Sequence, residues 1–269
     1  MEFLEEKAVQ AEENGDLDLA LELWKVLAQK DRDPVFFTCY GRVAHRLEKW
    51  DEAEAAFAQA LRIDPKSALA TVAMGHLWAS RTDKGDLGSL ETAKTWFLRS
   101  LEHERNPRTL TLLGATYRAL DDNASARDVL TEAIELDPNY EEALYNLAIS
   151  EEERDPRRSI ELLERAIEID PSYSAAHQSV GMLYQKMGDL QKAEYHFRRD
   201  LEIDQTEVWP LLYLANVLAI QGKLDEAEQN YRSAIRLHPE MKAGPEFFAR
   251  FLESNGRNEE AAVVRGRSG

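Results

Sequence analysis

The sequence predicts an all-α protein, an α-solenoid built by stacking helix-turn-helix hairpins, and three observations predict it. Residues 107–140, PRTLTLLGATYRALDDNASARDVLTEAIELDPNY, carry two helical faces: Leu110, Leu113, Gly114 and Tyr117 on the first, and Ala126, Leu130 and Ala133 on the second. Helix breakers stand between and after them: the polar turn Asp121-Asp122-Asn123, then Pro138, which has no backbone N–H to continue a helix. The same succession of large, small and turn residues recurs before and after this stretch at a period of about 34 residues, as a repeat array does and a single-core domain does not. Gly114 and Ala126 sit where the two helices come closest, so a larger side chain at either would push the backbones apart.

Residues 1–33 hold the unit in degraded form, with Ala8 in the small slot, Gly15-Asp16 at the turn, and Ala20 and Trp24 on the second face. Residues 34–67 are a close copy through Phe37, Tyr40, Gly41, Ala44, Ala53, Phe57, Ala60 and Pro65. Residues 68–106 keep Gly75, Trp78, Ala93 and Phe97 but insert Arg81 to Gly88 between the helices, which reads as a tolerated surface loop. After 107–140, residues 141–173 place Leu144, Leu147, Ala148, Leu163, Ala166 and Pro171, one residue short at the Asp155-Pro156 turn, which should re-aim that hairpin. Residues 174–207 supply Val180, Gly181, Tyr184, Gly188, Ala193 and Phe197, with Asp200 in a slot elsewhere held by alanine and Gln205 in place of the closing proline, so a looser junction is expected there. Residues 208–241 return to pattern with Leu211, Leu214, Ala215, Leu218, Gly222, Ala227, Tyr231, Ala234 and Pro239. Residues 242–269 form a partial eighth unit through Phe248, Ala249, Leu252, Gly256 and Ala261 that caps one array running over 1–269. Ser67, Asn139 and Ser172 or Ser174 are the expected N-caps.

The recurring residues follow W-x2-L-G-x2-Y, then A-x3-F, then Ala and Pro, and over essentially its whole length the chain resembles the tetratricopeptide repeat (TPR) family. That resemblance implies a right-handed superhelix whose first helices line a concave groove and whose second helices form most of the convex side. It also implies a non-catalytic protein-protein interaction scaffold or adaptor that binds an extended or helical peptide segment in the groove. Some family members clamp acidic C-terminal peptides with Lys and Asn on successive first helices. Here those positions hold Thr38, Arg42, Ala73, Arg108 and Leu112, so the clamp is absent, and Asn146 and Asn216 do not make the asparagine ladder of some larger members.

Charge and composition narrow the partner. A formal net charge of -17 and a pI near 4.9 set long-range repulsion against nucleic acid and anionic membrane. An RNA-binding solenoid is therefore the reading that charge opposes, and the remaining alternative to groove binding is an assembly or accessory factor that grips a folded partner through the convex surface. Nothing in the sequence calls for a homo-oligomer. A single cysteine, Cys39, excludes an internal disulfide and fits a reducing compartment. The N-terminal MEFLEEKAVQAEENG is acidic where a signal peptide is basic and then apolar, and no apolar run reaches the length of a span, so a cytoplasmic protein without membrane insertion is expected.

Catalytic, cofactor and metal chemistry find no foothold in the pattern. The six histidines, His45, His76, His103, His177, His196 and His238, lack paired-ligand spacing, and only Cys39, His45 and His76 could share one groove; they read as helix-lining residues. The recurring glycines belong to helix crossings and turns, not to a phosphate loop. Trp24, Phe57, Phe97, Phe197 and Tyr231 take the second-helix core slot, and Tyr40, Trp78, Tyr117 and Tyr184 a first-helix slot between repeats. Helical projection sends other residues into the groove. Its basic half holds Arg42, His45, Arg46, His76, Arg108 and Arg118, suited to an acidic segment of a ligand; its aromatic and polar half holds Tyr145, Asn146, Met182, Trp209, Tyr213, Asn216, Phe247 and Arg250.

Overall fold

The computed structural model describes residues 2–81 and 87–266, and among these it contains sixteen α-helices and no strand. They run α1 (Glu2–Glu13), α2 (Leu17–Lys30), α3 (Pro34–Arg46), α4 (Trp50–Ile63), α5 (Ala68–Ser80), α6 (Leu87–Leu101), α7 (Pro107–Ala119) and α8 (Asn123–Leu136). Then come α9 (Glu141–Glu151), α10 (Pro156–Ile169), α11 (Ser174–Met187), α12 (Leu190–Ile203), α13 (Val208–Ile220), α14 (Leu224–Leu237), α15 (Ala243–Ser254) and α16 (Asn258–Gly266). Within each unit odd helices pair with the even helices that follow them, as α1 with α2 and α11 with α12, and successive hairpins pack through neighbouring helices, as α2 on α3 and α12 on α13. By packing the chain divides between Ser150 and Glu151, at the end of α9, into two compact units. Within the first unit α3 touches α5, and within the second α11 touches α13 and α13 touches α15, so first helices lie side by side along one face of each unit.

Each hairpin is held at a crossing of two small residues. A methyl group added at Gly41 would lie 2.5 Å from the Phe57 ring, and one at Gly114 would lie 2.5 Å from Leu130 Cγ. Opposite stands an alanine of the second helix: Ala20, Ala53, Ala93, Ala126, Ala193, Ala227 and Ala261 are all fully buried. At this distance the aromatic or leucine side chain of the even helix seats directly on the glycine backbone, and the contact fixes where the two helices cross.

The turns obey the same period. Gly15, Gly188, Gly222 and Gly256 adopt left-handed backbone with φ of 77°, 83°, 80° and 78°, and the equivalent places in two other hairpins hold Glu48 at φ 58° and Asp121 at φ 63°. Between hairpins an aspartate closes the preceding helix and accepts the backbone N–H two residues on: Asp64 from Lys66, Asp137 from Asn139, Asp170 from Ser172 and Asp204 from Thr206. The last of these, at 2.8 Å, keeps the 204–207 junction in the common geometry although Gln205 replaces proline, where a looser junction is expected from sequence.

The caps differ from expectation in kind. Ser67 does cap α5, accepting from Ala70 N, but Asn139 instead donates its own N–H to Asp137, Ser172 bonds Asp170, and Ser174 lies inside α11 with its hydroxyl on Asp200. Aspartates do most of the capping, Asp16, Asp122, Asp155 and Asp189 starting even helices and Asp33 starting α3, because a carboxylate both accepts the free N–H groups and opposes the helix dipole. The insertion expected at Arg81 to Gly88 is also shorter as a connection, since Leu87 and Gly88 already belong to α6. Arg81 itself lies over the Trp78 ring at 5.0 Å and pairs with Asp51 and Glu54; residues 82–86 lie outside the described residues.

Two stability predictions rest on these contacts. Gly114→Leu drives a side chain into Leu130 and should cost about 1–3 kcal/mol or more in urea unfolding, whereas truncation after residue 257 should leave the central hairpins' melting unchanged. Glu48→Gly should stabilise by about 0.5–1 kcal/mol, because relief of about 1–2 kcal/mol of left-handed strain exceeds the extra chain entropy of glycine. A lower urea midpoint for Glu48→Gly would show the turn to be unstrained.

Candidate functional site

In the first unit the basic residues do not present a uniform positive face. Arg42 Nη2 donates to both oxygens of Glu12 at 3.0 Å, Arg46 approaches the same carboxylate at 3.7 Å, and the Trp24 indole N–H donates to it at 2.6 Å. Glu12, mostly buried on α1, thus ties α2 and α3 to the first helix, and its single negative charge is shared by two arginines that each stay about half exposed. Arg118 donates to the Asn146 side-chain carbonyl at 2.8 Å, while the Asn146 amide donates to Glu142 O. His45 bonds Ser80 Oγ at 2.6 Å and lies against the Trp50 ring; its burial disfavours the imidazolium form.

Arg108 is different. It is exposed at the start of α7 and makes no ion pair or side-chain hydrogen bond among the described residues. It borders an open cleft of about 660 Å³ with His76, Leu112, Tyr140 and Glu142. His76 sits edge-on to Phe97, and burial followed by the nearby Arg108 charge holds it below the usual imidazole range, so it meets the cleft as a neutral ring. The Tyr140 hydroxyl donates to Glu142 at 2.7 Å. Tyr145 is half-buried on α9.

Cys39 does not join His45 and His76 in a ligand set, and no group of three or more His, Cys, Asp or Glu side chains able to hold a metal occurs among the described residues. Burial pushes the Cys39 thiol up to about 11, against the opposing pull of Arg42. No described helix is long and apolar enough to cross a membrane.

The second unit presents aromatic and amide groups. Trp209 and Tyr213, one turn apart on α13, stack with centroids 5.9 Å apart, and Tyr213 rests in turn on the core ring of Phe197 at 5.5 Å. Trp209 stays 37% exposed and Met182 on α11 42% exposed, a degree of apolar exposure that the neighbouring core positions do not show. Asn216, next along the same face, makes no side-chain hydrogen bond among the described residues and borders a cavity of about 490 Å³ with Phe247 and Arg250. Arg250 is held by Glu246 at 2.9 Å.

A polar layer that the spacing argument overlooks lies inside the second unit. His177 and His196 are buried with their Nδ1 atoms 3.1 Å apart, and Ser174 donates to the wholly buried Asp200 at 2.6 Å. Ser174, His177 and Asp200 are not wired as nucleophile and base, since the serine goes directly to the aspartate and His177 turns its other nitrogen to Pro171 O. The signal was available in the period: 177 and 196 are slots that face each other across a hairpin, filled by Leu110 and Val129 or by Leu144 and Leu162 in other units.

Among known proteins, the model of the middle TPR-like domain of cilia and flagella-associated protein 70 matches residues 4–137. Two tetratricopeptide repeat models match residues 162–195 and residues 111–174 and 211–264. The RNA polymerase-associated protein CTR9 of Caenorhabditis elegans is 28% identical over 201 residues, 66% of this chain but only 17% of that relative's length. The APC/C hetero-tetramer Cut9-Hcn1 superimposes with a TM-score of 0.73 at 16% identity, over 91% of this chain and 48% of that one. PilF of Pseudomonas aeruginosa does so with 0.70 at 18%, over 82% and 97%. YrrB, described as a TPR protein with an unusual peptide-binding site, gives 0.53 at 19%, over 71% and 97%. At these identities the structures share a fold with this chain.

The Ser174–Asp200 layer yields a prediction. Asp200 Oδ2 has no partner, and desolvation raises the carboxyl above its ordinary range, so the folded state is penalised increasingly as pH rises through that raised value. Ser174→Ala with Asp200→Ala, which restores the alanine of Ala133, Ala166 and Ala234, should gain about 1–3 kcal/mol at pH 7 and less at pH 4 by urea unfolding. Destabilisation at pH 7 would mean that the layer is a net contributor.

Proposed function

The chain belongs to the tetratricopeptide repeat family, and from that premise we propose a non-catalytic interaction scaffold that holds an extended or helical segment of another protein on its first helices. The observation that carries the proposal is the Trp209–Tyr213 stack beside Asn216: a large rigid aromatic surface left partly in water next to an amide whose donors and acceptor are unclaimed. Folding alone gives no reason to leave these groups unfilled, and binding uses such groups, since a stacked aromatic pair loses little entropy when covered and a free amide pairs with a partner backbone. In the first unit Arg108, with Leu112 and Tyr140 around its cleft, suits an acidic residue of the partner flanked by an apolar one.

The reading separates residues that the charge pattern alone groups together. Capture of partners from native cells, followed by titration of the captured protein, should show Trp209→Ala losing about 2 kcal/mol, mainly through faster dissociation. Arg108→Glu should slow association and flatten its salt dependence. Arg42→Glu should act on stability instead, because it sets a second carboxylate against Glu12. Wild-type affinity in both Trp209→Ala and Arg108→Glu would defeat the first-helix reading and direct attention to the even-helix surface.

A further inference from the structure

The buried imidazole pair is not needed by the fold, since the same two slots are apolar in other hairpins, and its geometry permits only one arrangement of protons. His177 Nε2 lies 3.3 Å from Pro171 O, a carbonyl that can only accept, so Nε2 carries the hydrogen and Nδ1 offers a lone pair. His196 Nδ1, 3.1 Å away, must therefore be the donor. Both rings are neutral, and each is 8% exposed or less.

The surroundings offer no relief to an imidazolium. From α11 Tyr184 stacks on His196, and its hydroxyl donates to Glu164 of α10, which is thereby engaged. From α12 itself come Tyr195, edge-on to His196, and Lys192, whose ammonium lies over the Tyr184 ring and opposes charge on His196. Arg199 opposes charge on His177, Glu202 weakly favours it, and Asp200 is committed to Ser174. The adjacent α13 carries no titratable group except Tyr213, which is turned to Phe197. Among the described residues no carboxylate hydrogen-bonds either histidine ring.

We propose that the His177–His196 pair makes the α11–α12 hairpin an acid-released element, stable while both rings are neutral and opened when protonation places an imidazolium in a buried layer that offers it no carboxylate. The direction follows from linkage. Unfolded imidazoles take up a proton near pH 6.5, whereas burial, with His177 and Lys192, lowers folded His196 to about 4. Between these values the unfolded hairpin binds more protons, so its stability is complete above about pH 6.5 and falls as pH drops toward 4. Because α11 also carries Met182 of the exposed face, its release would remove part of that face at mildly acidic pH.

Hydrogen exchange of the full chain, corrected for intrinsic rates, tests this with α13–α14 of the same unit as the reference. Between pH 7 and pH 5 protection in α11–α12 should fall about thirtyfold relative to the reference. The double variant His177→Leu with His196→Leu, which installs the residues found at 144 and 162, should hold the ratio within about threefold. Nitrogen-15 NMR of the wild-type imidazoles at pH 5.5 gives a readout independent of any variant, with His177 neutral and protonated at Nε2 and His196 neutral and protonated at Nδ1. A pH-independent protection ratio, an equal fall in the double variant, or either ring titrating near 6.5 in the folded chain would overturn the proposal.

Discussion

Everything in this molecule depends on how closely two antiparallel helices can approach. With Leu130 seated on the Gly114 backbone and Ala126 buried opposite, the crossing is set by atoms that have nowhere else to go. Once the crossing is set, the rest of the hairpin follows: the side chains just beyond it become core, those on the outer side of the odd helix become a surface, and in six of the turns the chain reverses through a left-handed residue. A repeat of this kind has no central core to compensate for a bad crossing, so each unit bears its own packing and shares only its two interfaces with neighbours.

Electrostatics in so acidic a chain is mostly internal. Carboxylates outnumber cations, and many of the arginines and lysines are found against a Glu or Asp of their own or an adjacent hairpin, as Arg105 is with Glu132, Arg198 with Glu194 and Glu226, and Arg257 with Glu228 and Glu260. These exposed pairs add little stability singly. They do not claim every cation, and Arg108 is set apart from others unpaired among the described residues, such as Lys30, Arg62 and Lys186, by the cleft that it borders.

The hairpins, their order and the aromatic core slots were legible in the sequence because each is a matter of spacing, and spacing is what a repeat preserves. Trp24, Phe57, Phe97, Phe197 and Tyr231 are buried where the period places them. Capping was only partly legible, since Asn139 and Ser174 have the chemistry of caps but each lies one residue from the cap position, and the Asp-led turns before α9 and α11 fix that position. Site chemistry was the least legible. Nothing at positions 42 and 46 discloses that Glu12, thirty residues earlier, will take both arginines, because that pairing is made by stacking one hairpin on another. The histidine pair was hidden for the opposite reason: it lies within one hairpin, but a search for ligand spacing along the chain does not look across a turn.

The second hairpin of the array contains a chemical reporter. Cys39 is the chain's one thiol, and desolvation pushes it up to about 11, so the protonated form prevails at neutral pH. Electrophiles and oxidants that need the thiolate therefore meet a half-buried, protonated sulfur, and a loosening of the packing that desolvates it turns the side chain more reactive. Labelling of this single sulfur therefore reports how tightly the helices around α3 are packed, so the state of the N-terminal end of the array is written into its alkylation kinetics.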